Sequence, residues 1–248
     1  MSRPPLVLGP SLGTSADALW GACSALLADD LDVVAWDLPG HGRERGPVPL
    51  RPSMADLAAG VLERLDDRAF HYAGDSVGGA VGLQLLLDAP HRVRSATLLC
   101  TGARIGTPGS WEERIELVRR SGTPSLVDAS ARRWFGAGFL GREPGRGSAL
   151  LHALSDTSDE GYVAVCGALA TFDVRDRLGE IAAPVLALAG TDDTATPPDL
   201  LRQVAEGVQD GRFVELAGVG HQAPAEAPEA VASLLREHVL ATTDGAPA

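Results

Sequence analysis

Phe70-His71-Tyr72-Ala73-Gly74-Asp75-Ser76-Val77-Gly78-Gly79 is the stretch that decides how this chain is read. The run from Phe70 to Gly74 has the pattern of a short strand. It passes directly into Gly-x-Ser-x-Gly, and Ala80, Val81, Leu83, Gln84 and Leu87 continue with helical spacing. Strand, sharp turn and helix put a serine hydroxyl at the apex of a strained bend, where Gly74 and Gly78 remove the Cβ clashes of so tight a turn. The helix aims its positive end at that serine, and the Val77 N–H is placed to donate to an oxyanion. A glycine-rich turn without chemistry would show the same five residues, so the rest of the chain has to decide.

Short apolar strands alternate with amphipathic helices on either side of this tract. Strands are predicted at Leu6–Leu8, Val33–Trp36, Phe70–Gly74, Ala96–Cys100, Pro184–Ala189 and Phe213–Leu216. Between them, Trp20, Cys23, Leu26 and Leu27 form one helical face. Ser53 has the position of an N-cap before the stripe Met54, Leu57, Val61, Leu62 and Leu65. The helix of the central tract runs to Pro90, another spans Leu200–Val208, and a last one Glu226–Leu240. Such alternation implies a mostly parallel sheet wrapped by helices.

Residues 102–183 break the rhythm. They carry helical patterns near Trp111–Arg120, Leu126–Phe135, Ser148–Leu154 and Glu160–Phe172, and no convincing strand. The expectation is a core of residues 1–101 and 184–248 with a helical cap, 102–183, over the strand C-termini, the edge where open α/β sheets bind ligands. A separate helical domain is the alternative.

A serine nucleophile needs a base, and the base an orienting carboxylate. The strand Val185–Ala189 runs into Gly190-Thr191-Asp192-Asp193. The strand Phe213–Leu216 runs into Ala217-Gly218-Val219-Gly220-His221. Both loops fall on the same edge of the sheet as Ser76, and the order Ser, Asp, His is that of the α/β-hydrolase pattern. Taken singly, either aspartate could cap the helix near Pro198 and His221 could be an ordinary loop histidine. Together with Ser76 they read as a triad. His71 lies within a strand, His91 after a helix, His152 in the cap and His238 in the last helix, and His41 reads as a structural turn residue. The second oxyanion donor belongs on the loop Gly9-Pro10-Ser11-Leu12. Pro10 has no N–H, which leaves Ser11 or Leu12, with Ser11 preferred.

Composition sets the outer bounds. The 248 residues suffice for one large α/β domain, and 45% are hydrophobic, too many for a disordered chain. The formal charge is −12 and lysine is absent, which excludes a nucleic-acid footprint and a Walker loop. A dinucleotide fingerprint starting at Gly74 would need glycine where Ser76 stands. Cys23, Cys100 and Cys166 are widely spaced and no close ligand pair occurs, so neither a disulfide frame nor a metal or other cofactor is expected. With no signal-peptide pattern and no run of about 18 apolar residues, a cytoplasmic chain without membrane partner is expected, and a small polar tail, Thr242–Ala248, that frays.

These motifs resemble the α/β-hydrolase superfamily over almost the whole chain, and most closely the 3-oxoadipate enol-lactonases. The resemblance rests on Ser11-Leu12-Gly13-Thr14 with Trp20, Asp37-Leu38-Pro39-Gly40-His41-Gly42, and Thr101 to Gly106 with Trp111. Arg133-Trp134-Phe135, Glu160-Gly161-Tyr162 and Gly190 to Pro198 add to it. It implies that Asp193 rather than Asp192 is the triad acid, and that a lactone or ester is hydrolysed without a cofactor, as in aromatic catabolism. Cofactor-free haloperoxidase-like esterases and C–C bond hydrolases share the triad, and a non-catalytic ligand receptor could share the fold. The implied substrate carries a free carboxylate, for which Arg133 is the expected partner and Trp134 a wall for the ring. The competing reading gives Arg132, Arg133 and Trp134 only a cap-docking role. Two departures stand out. Only Met1 to Pro5 precede Leu6, so a six-stranded sheet without the family's N-terminal hairpin is expected, with an exposed edge that favours a homo-oligomer. Asp75 and Val77 flank the serine where leucine or methionine is usual.

Overall fold

The computed structural model describes residues 3–243. Six strands form one sheet: β1 (Pro5–Gly9), β2 (Asp32–Ala35), β3 (Phe70–Asp75), β4 (Val93–Leu99), β5 (Val185–Gly190) and β6 (Gly211–Leu216). Every pairing is parallel and the order is β2-β1-β3-β4-β5-β6. The expected six-stranded parallel sheet is therefore present. β3 and β5 are buried at every residue, because helices cover both faces of a parallel sheet. The edge strand β2 alternates in burial and leaves Val34 exposed.

After β1 the chain turns outward to β2, then crosses back to place β3 on the other side of β1. That reversal opens a crevice between the C-terminal ends of β1 and β3, where ligands of such sheets bind. Ser11 follows one of these strands and Ser76 the other.

The core helices are α1 (Ala16–Leu27), α2 (Met54–Glu63) and α3 (Val77–Asp88). Ser53 caps α2 as expected, and Asp56 completes a capping box with it. Between β4 and β5 come α4 (Pro108–Ser121), α5 (Val127–Trp134), α6 (Phe139–Arg142), α7 (Pro144–Asp156) and α8 (Asp159–Thr171). The chain closes with α9 (Pro198–Gly207), α10 (Ala223–Glu226) and α11 (Pro228–Thr243).

Three expectations need correction. Leu26 is exposed, because the buried face of α1 runs through Leu19, Trp20, Cys23 and Leu27. The last helix, expected over Glu226–Leu240, starts at Pro228 and runs to Thr243, because Pro228 can open a helix but its missing N–H keeps it from continuing the short α10 before it. Thr242 and Thr243 belong to α11, where each hydroxyl donates to a helix carbonyl. Asp244–Ala248, the remainder of the expected tail, and Met1 and Ser2 lie outside the described residues.

Asp37 accounts for the Asp-Leu-Pro-Gly-His-Gly tract. Its Oδ1 accepts from the Ala16 N–H at 2.7 Å and its Oδ2 from the Arg43 N–H at 2.9 Å. One carboxylate thus ties the loop after β2 to the first turn of α1, where a negative charge also suits the helix end. His41 is buried in this loop. Its Nδ1–H donates to Pro39 O at 2.9 Å, and burial pushes its pKa down to about 4.

Candidate active site

Ser76 has φ 55° and ψ −117°, a conformation non-glycine residues avoid, held here by the packing around it. A Cβ on Gly74 would lie 2.3 Å from Gly78 O, and one on Gly78 would lie 2.6 Å from the Gly9 carbonyl carbon. Only glycine at both places lets β3, α3 and the loop after β1 come this close. The Ser76 N–H donates to Leu99 O at 2.9 Å and Thr101 Oγ1 donates to Ser76 O at 2.6 Å. Hydrogen bonds to both its N–H and its C=O therefore hold the bend.

The loops after β5 and β6 meet this serine. Ser76 Oγ lies 3.0 Å from His221 Nε2, and His221 Nδ1 lies 2.9 Å from Asp193 Oδ2. With a proton on Nδ1, the free Nε2 accepts from the serine hydroxyl. Asp193 Oδ1 accepts from the N–H groups of Ala195 and Thr196 at 2.7 and 3.0 Å, and its Oδ2 accepts from Thr196 Oγ1 at 2.7 Å. Burial works against charge on Asp193, but His221 and Thr196 outweigh it and hold the carboxyl below its usual range. Asp192 points elsewhere: its Oδ2 accepts the Ala137 N–H at 3.1 Å. Neither aspartate caps α9, whose N-cap is Pro197.

Ser11 stands on the loop after β1, and Val77 follows the serine directly. Ser11 lines the same cavity as Ser76 and His221, and Val77 is the first residue of α3, whose N–H has no acceptor within the helix. The Gly78 N–H is already taken, donating to Pro10 O at 3.0 Å. The buried Gln222 side chain reaches Ser11 Oγ at 3.4 Å.

The cavity has a volume of about 350 Å³ and runs from Ser76 toward the inserted helices. Trp111 and Arg114 of α4, Arg133 and Trp134 of α5, and Tyr162 of α8 line it. Arg133 stands at the mouth, where its Nη2 donates to Ala195 O at 3.3 Å; Trp134 is buried. Arg114 lies deeper, donating to Tyr162 Oη at 3.1 Å with its guanidinium 5.9 Å above the Trp111 ring. Among the described residues neither arginine forms a salt bridge. Burial, and then the like charge of Arg114, work against the Arg133 cation. Arg114 was not singled out from the sequence. Its signal was its place three residues after Trp111, on one helical face.

Asp75 behaves differently from its neighbour Ser76. It is fully buried and neither carboxyl oxygen has a hydrogen-bond partner among the described residues. Burial, then the charges of Asp193 and Glu226, push its pKa well above the ordinary aspartate value and disfavour the charged form. Cys100, Asp193 and His221 bring potential ligand atoms within 4.8 Å of one another. Asp193 and His221 already spend those atoms on each other, and burial pushes the Cys100 thiol well up. The three therefore make a poor metal site. No helix among the described residues is long and apolar enough to cross a membrane.

Residues 6–234 match the model of the "Alpha/beta hydrolase family". A 3-oxoadipate enol-lactonase 2 of Acinetobacter baylyi is 35% identical over 215 residues, 86% of this chain and 76% of that protein. A protein of Variovorax paradoxus named "Putative carbamate hydrolase RutD" is 31% identical, over 87% of this chain and 84% of its own. The crystal structure of the enol-lactonase from Burkholderia xenovorans superposes with a TM-score of 0.88 at 30% identity, covering 98% of this chain and 92% of that one.

Proposed function

The chain belongs to the alpha/beta hydrolase family, and on that premise we propose that it is a serine-dependent hydrolase that opens a lactone bearing a free carboxylate. The specific reading is 3-oxoadipate enol-lactone to 3-oxoadipate. The observation that carries it is the hydrogen-bonded series Ser76, His221, Asp193 at one end of a cavity whose walls hold Arg114 and Arg133 without carboxylate partners. Two guanidinium groups facing one cavity match a substrate anion, which each could grip through paired N–H donors. Residues 102–183 act as the cap that keeps water from this charge pairing.

In this mechanism Ser76 Oγ attacks the lactone carbonyl while its proton passes to His221 Nε2. The N–H groups of Ser11 and Val77 take the oxyanion, and Asp193 stabilises the imidazolium. The ring C–O bond breaks, and His221 returns the proton to the departing enol oxygen. Tautomerisation of that enol to a ketone removes the leaving group as a nucleophile and draws the reaction forward. A water molecule, deprotonated by His221, then attacks the acyl-enzyme, the Ser76–acyl bond breaks as His221 returns that proton to Ser76 Oγ, and the second carboxylic acid leaves.

The test is turnover of a panel of carboxylated enol-lactones, neutral lactones, aryl esters and carbamates, with fluorophosphonate labelling of Ser76. The expected result is labelling of the wild type but not of Ser76→Ala, with kcat/KM highest on the carboxylated enol-lactones. Preference for carbamates would replace the substrate assignment and keep the nucleophile. An unlabelled wild type without turnover would overturn the mechanism.

A further inference from the structure

Glu226, the last residue of α10, has a role that neither the sequence motifs nor the triad explains. Its Oε2 accepts from the Gly220 N–H at 3.2 Å and its Oε1 from the Gln222 N–H at 3.2 Å. The N–H between them, that of His221, donates to Trp134 O at 2.7 Å. Three consecutive amides centred on the histidine are thus all committed, two of them to one carboxylate. The same Oε2 accepts a third N–H, that of Gly136, at 2.8 Å. Gly136 lies two residues beyond Trp134 and 90 positions from Glu226 in sequence. Local capping of a four-residue helix would require the Gln222 bond alone.

The packing at this place is close. A Cβ on Gly220 would lie 2.5 Å from Gly136 N and 2.6 Å from Trp134 O, and one on Gly136 would lie 2.3 Å from Gly218 O. The histidine loop and the segment 134–136 therefore meet backbone to backbone, with the Glu226 carboxylate serving donors on both sides. Hydrogen bonds from amides to a carboxylate are among the stronger ones, and three of them on one partly buried side chain make a rigid joint.

We propose that Glu226 is a positioning residue for the hydrolysis: it fixes the backbone of His221 against the inserted segment that carries Trp134, and adds a negative charge behind the imidazole. The proposal rests on the reading of His221 as the base. Other charged or titratable groups face this place as well. They are Asp193 on the loop after β5, Asp75 at the end of β3, Cys100 just after β4, and Glu143 and Arg146 around the start of α7. Arg146 donates to Ala225 O at 2.9 Å and pairs with Glu143 at 3.1 Å. A charge on Glu226 favours the imidazolium; removing it favours the neutral ring.

Two substitutions separate the span of the side chain from its charge. Glu226→Asp keeps the charge but is one methylene too short to serve both sides of the joint. Glu226→Gln keeps the length and loses the charge. The measurement is the pH–rate profile of p-nitrophenyl acetate hydrolysis by the full chain, with fluorophosphonate labelling of Ser76 and a melting curve for each protein. Glu226→Asp is expected to lower kcat about tenfold or more with the acid limb unmoved. Glu226→Gln is expected to move that limb to lower pH by about half a unit, with a smaller loss of kcat. Wild-type kcat and limb in both variants overturn the proposal. So does a loss of kcat that only follows the loss of folded protein on the melting curve, with the limb unmoved in Glu226→Gln. A wild type that neither labels nor turns over overturns the hydrolase reading itself, a separate outcome.

Discussion

Asp192 and Asp193 are neighbours in the chain, yet one holds the inserted helices and the other holds the histidine. Asp193 meets His221 Nδ1 at 2.9 Å, while Asp192 accepts the Ala137 N–H at 3.1 Å. Their substitutions should therefore behave differently. Asp193→Asn presents an amide to Nδ1 and stabilises the wrong tautomer, so kcat should fall by about 10³ or more. Asp192→Asn keeps an acceptor oxygen for Ala137 and should cost less than about tenfold. Steady-state kinetics on one ester decides it, and equal losses would refute the division of labour.

The two cavity arginines predict a split between substrates. Arg114→Met and Arg133→Met should each raise KM for a carboxylated lactone by about tenfold, the weight of one charged hydrogen bond, and leave neutral aryl esters nearly unchanged. A parallel loss on both substrates would mean that the helices had moved rather than that an anion site had gone.

Asp75 should make the protein less stable as pH rises. Its folded-state pKa lies well above the value of an unfolded aspartate, so the folded chain keeps a proton that the unfolded chain releases. Stability is then lost from about pH 4 upward until the folded-state carboxyl itself ionises. Asp75→Asn removes that dependence. It should raise the melting temperature at pH 8 more than at pH 4, as calorimetry at the two pH values would show.

His41 and His71 act on the acid side. Burial lowers both to about 4, so the folded state resists a proton that an unfolded histidine accepts near pH 6.5. Their contribution is complete above that pH and declines as pH falls through 6.5 toward about 4. His41→Asn should flatten this part of the urea-midpoint profile, whatever its effect on stability at pH 8. An unchanged slope would contradict the prediction.

Much of the site could be read from the chain because its chemistry is local. Gly74, Ser76 and Gly78 declare the bend by spacing, and Asp193 and His221 each stand just past a strand of the parallel sheet, which fixes their edge of it. Helix ends followed caps where the cap was a hydroxyl, as at Ser53. The cation deep in the cavity was harder to see. Arg114 sits among Arg119, Arg120 and several glutamates on α4, and only the fold shows that it turns inward to Tyr162. Glu226 was hidden for the same reason, since it is defined by amides distant in sequence. Asp75 stood out beside the serine, but its burial without a partner has no signature in residue order.

The seam between Gly136 and Gly220 has a consequence for the evolution and redesign of this scaffold. Backbone atoms from two distant stretches share a space that admits no side chain, so the stretches must change as a pair. A helical insertion borrowed from another member of the family would dock only if residues 134–137 and 218–226 travelled with it. Substrate range can drift freely through α4 and the outer face of α5, while the graft boundary is confined to this short, co-inherited joint.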